Sequence, residues 1–264
     1  MTNLASYRIL FLINHNVLRI YEVRLNEISK YKQMLVGGMV AKPPVIGIFI
    51  NRMRVLIACE ESQTITAKYR EKGIEAYSCD LKPAKINSDW HYQTDIFEVI
   101  NLGWDLMIAH PPCTRLTVTG NKWYKPEFAD RFPNIQEERK EAIEFFMKIA
   151  NANINRIAIE NPIGIMSSIF RKPDQVIQPY YFGDTERKAT CLWLKNLPKL
   201  RHVKENNLFE TKTHVEPEII TFKSGSTMSK IHFESSKLPK DLRSEVRSKT
   251  FEGIANAIVN QWIF

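Results

Sequence analysis

The feature that most limits how this chain can fold is the alternation of apolar strands and helical segments that begins at Met53. "RVLIACE" is a short β-branched run, "SQTITAKYREKG" has helical spacing closed by Gly73, and "IEAYSCDL" is a second strand ending at Asp80. "DLMIAHPP" follows as another buried strand. "IQEERKEAIEFFMKIANAN" then places Ile143, Phe146, Met147 and Ala150 on one helical face, and "RIAIENP" is a strand again. Strands separated by helices predict an α/β fold: a Rossmann-like, doubly wound, mostly parallel sheet covered on both faces, with ligands bound beyond the carboxyl ends of the strands.

The chemistry-bearing residues fall at those ends. Cys59 and Glu60 follow the first strand, Asp80 ends the second, and Asp95 in "QTDIFEV" follows the third candidate. Cys113 follows the fourth, and Glu160-Asn161-Pro162 closes the fifth. Pro111 and Pro112 cannot donate backbone hydrogen bonds, so they stop the fourth strand and deliver Cys113 at a rigid terminus. Taken alone, Cys113 also reads as a small buried hydrophobe, and Asp80 as a turn cap. An acidic residue ending the second strand is placed to accept from two ribose hydroxyls. No GxGxxG loop is present, so a nucleoside without a diphosphate is the better ligand.

The order of these features resembles the cytosine-5 DNA methyltransferases, and more closely their small phage and prophage members. The resemblance runs from Met53 to Phe264 and is strongest in "AHPPCT", "IAIENP" and "FEGIANAIVNQW". It implies a class I methyltransferase fold, S-adenosylmethionine as cofactor and double-stranded DNA as substrate. It also implies Cys113 as the nucleophile that adds to C6 of a flipped cytosine, and Glu160 as the acid at N3. "TERKAT" would supply the family's basic motif through Arg187 or Lys188. Asp80 and Asp95 would hold ribose and adenine, with Cys59, Glu60, Leu81, Ile96, His110 and Pro111 lining the same crevice. Gly253 and Asn256 of "GIANAI" would close it.

The chain departs from the family in three places. The first motif, "ACEESQT", lacks glycine, the usual Glu-Asn-Val is Glu-Asn-Pro, and the target-recognition region shrinks to about thirty residues, 201–227. The implied organisation is an N-terminal extension (1–52, a helix and hairpin or an upstream addition), a catalytic core (53–200), this short segment, and a return to the core (228–264).

With 264 residues, 44% hydrophobic and 25% charged, the chain fits a globular protein, and a net charge of +8 favours a polyanionic partner. Arg115, Lys122 and Lys188 are candidates both for ionising the Cys113 thiol, together with Arg187, and for meeting DNA. Arg243 and Arg247 in "SKLPKDLRSEVRSKT" are candidates for phosphate. The loop Thr114–Asn134 is long enough to close over a flipped base. The four cysteines show neither zinc spacing nor a disulfide framework, which predicts no metal and a reducing cytoplasm. No signal peptide or membrane span is expected. Amino methylation is disfavoured because "HPPC" lacks the acceptor and the aromatic residue that such enzymes place around the prolines. RNA cytosine, and a nucleic-acid-binding protein without activity, stay open as alternatives; oligomeric state and target sequence are not legible.

Overall fold

The computed structural model describes residues 6–13, 17–24, 53–206 and 209–264. The chain divides into two units, 1–52 and 53–264. In the first, β1 (Ser6–Ile13) pairs antiparallel with β2 (Val17–Arg24) as a hairpin. The helix expected in the extension lies outside the described residues.

In the second unit, β3 (Arg54–Ala58), α1 (Thr64–Glu71), β4 (Glu75–Asp80), β5 (His91–Gln93), α2 (Ile96–Val99) and β6 (Leu106–Ala109) follow one another. Then come α3 (Ile135–Ala150), β7 (Arg156–Pro162), α4 (Met166–Ile169), β8 (Gln175–Ile177) and β9 (Thr190–Lys195). The chain ends with the β10 (Ile219–Thr221) and β11 (Thr227–Ser229) hairpin and the helices α5 (Lys230–Ser236), α6 (Lys240–Ser248) and α7 (Glu252–Gln261). Seven strands form one sheet in the order β5-β4-β3-β6-β7-β9-β8. β5, β4, β3, β6 and β7 run parallel, while β9 lies antiparallel to both β7 and β8.

Successive side chains of a strand point to opposite faces, and here both faces are buried. From β3, Val55 and Ile57 join Ile65 and Tyr69 of α1 and Ile254, Ile258 and Val259 of α7 on one side. Leu56 and Ala58 join Ile96 and Val99 of α2 and Phe146 and Ile149 of α3 on the other. This explains why the strands read as continuous apolar runs. Each such side chain contributes on the order of 1.5 to 3 kcal/mol by leaving water. In α3 the deepest residues are Phe146 and Ile149, with Ile143, Met147 and Ala150 at the margin of the same cluster.

The strand ends are shaped by local rules. The His110 N–H donates to the Ala58 carbonyl at 3.0 Å, and Pro111 and Pro112 then halt pairing. At the end of β3, Cys59 adopts φ 61°, the left-handed region in which non-glycine residues are uncommon. Its N–H reaches the Cys79 carbonyl at 2.7 Å. Among the described residues of the stretch that follows β9, 201–206 and 209–218 contain no helix or strand. This segment lies along the stretch before β9, with Thr213 Oγ1 donating to the Tyr181 carbonyl at 2.7 Å and the rings of His202 and His214 stacked on Tyr181. Among the described residues no helix is long and apolar enough to cross a membrane.

Candidate active site

β6 and β7 are parallel neighbours, so the residues beyond Ala109 and those ending β7 face each other across one strand spacing. His110 Nδ1 lies 3.1 Å from Glu160 Oε2 and donates to the carboxylate. The next residue, Asn161, is 2% exposed and sends its side-chain amide to the Pro111 carbonyl at 2.8 Å. The Glu-Asn pair therefore divides its roles: the carboxylate faces the site and the amide clamps the proline turn that carries Cys113.

Cys113 is half-buried at the head of a turn in which the Leu116 and Thr117 N–H groups donate to its carbonyl at 2.9 and 3.1 Å. The turn packs directly on the loop after β7. Ile165 N–H donates to the Leu116 carbonyl at 2.9 Å, Thr117 bridges to Gly164, and a Cβ on Gly164 would stand 2.2 Å from the Leu116 oxygen. Only glycine permits this approach.

Burial raises the Cys113 thiol above its ordinary range and the Glu160 carboxylate raises it further, while Lys188 opposes both. Burial also pushes the Glu160 carboxyl upward. The hydrogen bond and charge of His110, the charge of Lys188 and the Thr190 hydroxyl outweigh that push, so Glu160 titrates below the usual glutamate range. Thr190 pairs with Pro162 across the β7–β9 ladder and thereby shares a face with Glu160. Neither Thr190 nor the part played by Asn161 was legible in the sequence, because both depend on register between strands distant in sequence.

The basic residues part company. Lys188 reaches the site, its Nζ anchored on the Arg247 carbonyl at 2.8 Å. Arg187 instead donates to Thr227 Oγ1 at 3.1 Å, beside the β10–β11 hairpin. Arg115 is ion-paired with Glu138 of α3, and Lys122 sits 4.4 Å from the Trp123 ring centroid. Of the four cations expected around the thiol, Lys188 is the one whose charge lowers Cys113. Arg243 donates to the Ser236 and Leu238 carbonyls, and Arg247 to Ser235 Oγ and the His232 carbonyl. Both guanidinium groups thus tie α6 to the end of α5, a use the charge pattern alone could not distinguish from phosphate contact. The loop 114–134 is folded onto α3: Trp123 packs edge-on against Phe128 and Phe132, and Arg139 lies over Tyr124 and donates to the Arg115 carbonyl at 3.2 Å.

The ends of β3, β4 and β5 lie along the same edge of the sheet, because the three strands are parallel neighbours. The charges of Asp80 and Asp95 both reach Cys59, whose thiol burial and those charges push up to about 12. Asp80 Oδ1 accepts from the Lys82 N–H and Asp95 Oδ1 from the Phe97 N–H, so turn and helix capping occupy one oxygen of each carboxylate. Leu81 between them is 74% exposed, whereas Ile96 is 4% exposed and belongs to the core. Glu60 turns inward: it is 3% exposed and its carboxylate accepts from the N–H groups of Ile65 and Thr66 and from the Thr66 hydroxyl. It occupies the N-terminus of α1, where a phosphate would otherwise bind. Gly253 packs on the Phe182 carbonyl and donates its N–H to Asp184 Oδ2 at 2.9 Å, and Asn256 is exposed on α7.

Two carboxylates and an exposed aliphatic side chain suit a ribose diol, an exocyclic amine and a flat ring. With the α1 terminus filled by Glu60, the set does not fit a nucleotide diphosphate.

Among the solved structures similar to part of the chain are two proteins from different sources. An E. coli prophage-encoded protein described as a DNA modification methyltransferase is 15% identical, with a TM-score of 0.39, over 63% of this chain and 52% of its own. A mutant of DNMT2 from Spodoptera frugiperda is 13% identical, with a TM-score of 0.34, over 63% of this chain and 58% of its own. The chain therefore spans little more than half the length of either. No family model and no curated protein matches it. The sheet is a doubly wound, mostly parallel Rossmann-like one, with a reversed strand next to one edge.

Proposed function

We propose that this protein is a DNA cytosine-5 methyltransferase that uses S-adenosylmethionine. The observation that carries the reading is the meeting of a thiol and a carboxylate, Cys113 and Glu160, at the ends of adjacent parallel strands, each close enough for Glu160's charge to act on the thiol. C5 of cytosine is a weak nucleophile. Addition of the Cys113 sulfur to C6, with Glu160 holding the ring at N3, makes C5 electron-rich. Bound S-adenosylmethionine supplies an electrophilic methyl group to that carbon. Loss of the C5 proton to solvent water and elimination of Cys113 then restore the aromatic ring.

The residues around the pair serve this sequence. Lys188 favours the thiolate, Asn161 and Gly164 fix the turn that aims it, and Asp80, Asp95 and Leu81 are assigned to the ribose and adenine. The +8 charge favours a polyanionic substrate. Reaction at C6 requires a base out of its stack, with the aromatic loop 114–134 beside the nucleophile.

Bisulfite sequencing of DNA from cells expressing the chain tests the reading. The expected result is converted-resistant cytosines with the wild-type chain and none with Cys113→Ser. Unmodified DNA from the wild type, or modification that survives the substitution, overturns it.

A further inference from the structure

The proposed chemistry needs a thiolate, yet in the resting site Cys113 is held as a thiol by burial and by Glu160. The carboxylate that opposes ionisation is itself governed by His110. The imidazole is 15% exposed and stands at the β6 terminus between two acidic residues: Glu160 on β7, bonded to Nδ1, and Glu60 after β3, on which its charge also acts. Its Nε2 is buried and has no hydrogen-bond partner among the described residues. The bond to Glu160 is thus the polar tether that orients the ring, and it commits Oε2 while leaving Oε1 for another partner. The remaining groups facing Glu160 are Lys188 and Thr190 at the start of β9, with Cys191 beyond them and Cys113 on the opposing turn.

We infer that His110 is a positioning residue: it keeps Glu160 ionised in the resting site, so that Glu160, rather than bulk water, takes the Cys113 proton when a cytosine arrives. As the sulfur bonds to C6, the S–H bond breaks and an O–H bond forms on Glu160. The same proton passes to N3, where it balances the electron pair displaced into the ring. On elimination it returns by the same path. No outside acid or base enters this half of the reaction, and an unoccupied site holds no free thiolate to be alkylated or oxidised. This inference rests on the proposed roles of Cys113 and Glu160, but its test needs neither cofactor nor DNA.

The test is the pH dependence of Cys113 alkylation by iodoacetamide, with the modified peptide located by mass spectrometry. Cys59 and Cys79, pushed up to about 12, stay slow. Glu160→Gln removes the opposing charge, and Cys113 should ionise at lower pH, by about one unit or tenfold in thiolate near neutrality. His110→Gln should move the profile the same way, because the desolvation of a half-buried Glu160 is then no longer offset by the bond and charge of His110 and its carboxyl titrates higher. The double variant should match Glu160→Gln alone, since both act through one charge. His110→Asn places an amide N–H where Nδ1 stood and should recover part of the wild-type profile. A wild-type alkylation profile in His110→Gln, or additivity in the double variant, overturns the inference. So does a wild-type profile in Glu160→Gln. Should His110→Gln fail to fold, carbon-13 NMR of labelled glutamate in the wild-type protein reads Glu160 directly, and titration at or above the ordinary glutamate range is the refuting result. A wild-type chain that transfers no methyl group would instead sink the proposed function and leave this measurement standing.

Discussion

Gly164→Ala isolates how far catalysis depends on the placement of the Cys113 turn. Gly164 carries no side chain, and its nearest neighbours are the backbone atoms of Leu116 and Thr117. An added methyl would stand 2.2 Å from the Leu116 oxygen and 3.0 Å from its carbonyl carbon, both rigid backbone atoms of a residue with no exposed surface. Ordinary contact requires the two loops to separate by roughly 1 Å. That movement breaks the 2.9 Å bond from Ile165 to Leu116 and the Thr117–Gly164 bridge, and it carries Cys113 away from Glu160. Overpacking of this kind destabilises by about 1 to 3 kcal/mol, and a misplacement of about 1 Å lowers kcat by about 100-fold. The assay is incorporation of labelled methyl groups at saturating DNA, alongside calorimetry with S-adenosylhomocysteine and a denaturant midpoint. The expected pattern is a large fall in kcat, a modest loss of stability and unchanged cofactor affinity. A wild-type kcat in a variant whose midpoint has dropped would refute the argument, because it would show that the turn can move without consequence.

Cys113→Ser should abolish transfer while leaving S-adenosylhomocysteine affinity intact, whereas Asp80→Ala and Asp95→Ala should each weaken that affinity; calorimetry separates the two groups. Arg247→Ala should lower the thermal midpoint, by an equivalent of about 1 to 3 kcal/mol for lost charged hydrogen bonds to Ser235 and His232. It should leave the salt dependence of DNA binding unchanged; a flattened salt slope with an unaltered midpoint would return Arg247 to the phosphate backbone. Because Glu160's folded-state pKa is depressed, its contribution to stability is present above the unfolded glutamate value and is lost as pH falls through the folded one. Unfolding followed over that acidic window should show a steeper loss for the wild type than for Glu160→Gln.

Much of this protein is written locally. Strand and helix periodicities follow from which side chains are apolar, so the alternation after Met53 already implied a covered parallel sheet. Two prolines after Ala109 end a strand in any context, and that alone placed Cys113 just beyond the end of β6. What depended on tertiary structure was the choice among partners. Arg187 and Lys188 are adjacent in sequence, yet the approach to β9 sends one toward Thr227 and the other toward Cys113. Glu60 reads in the sequence as a residue beside the cofactor, but the free N–H groups at the start of α1 draw its carboxylate inward. Arg243 and Arg247 look like a basic stripe until α5 and α6 pack and their carbonyls capture the guanidinium groups. His110 reads as one more lining residue until the β6–β7 register sets it against Glu160. A hydrogen-bond donor has many acceptors within reach along a chain of this length. Which one it meets is decided by the packing of elements far apart in sequence, and no local pattern encodes that distance.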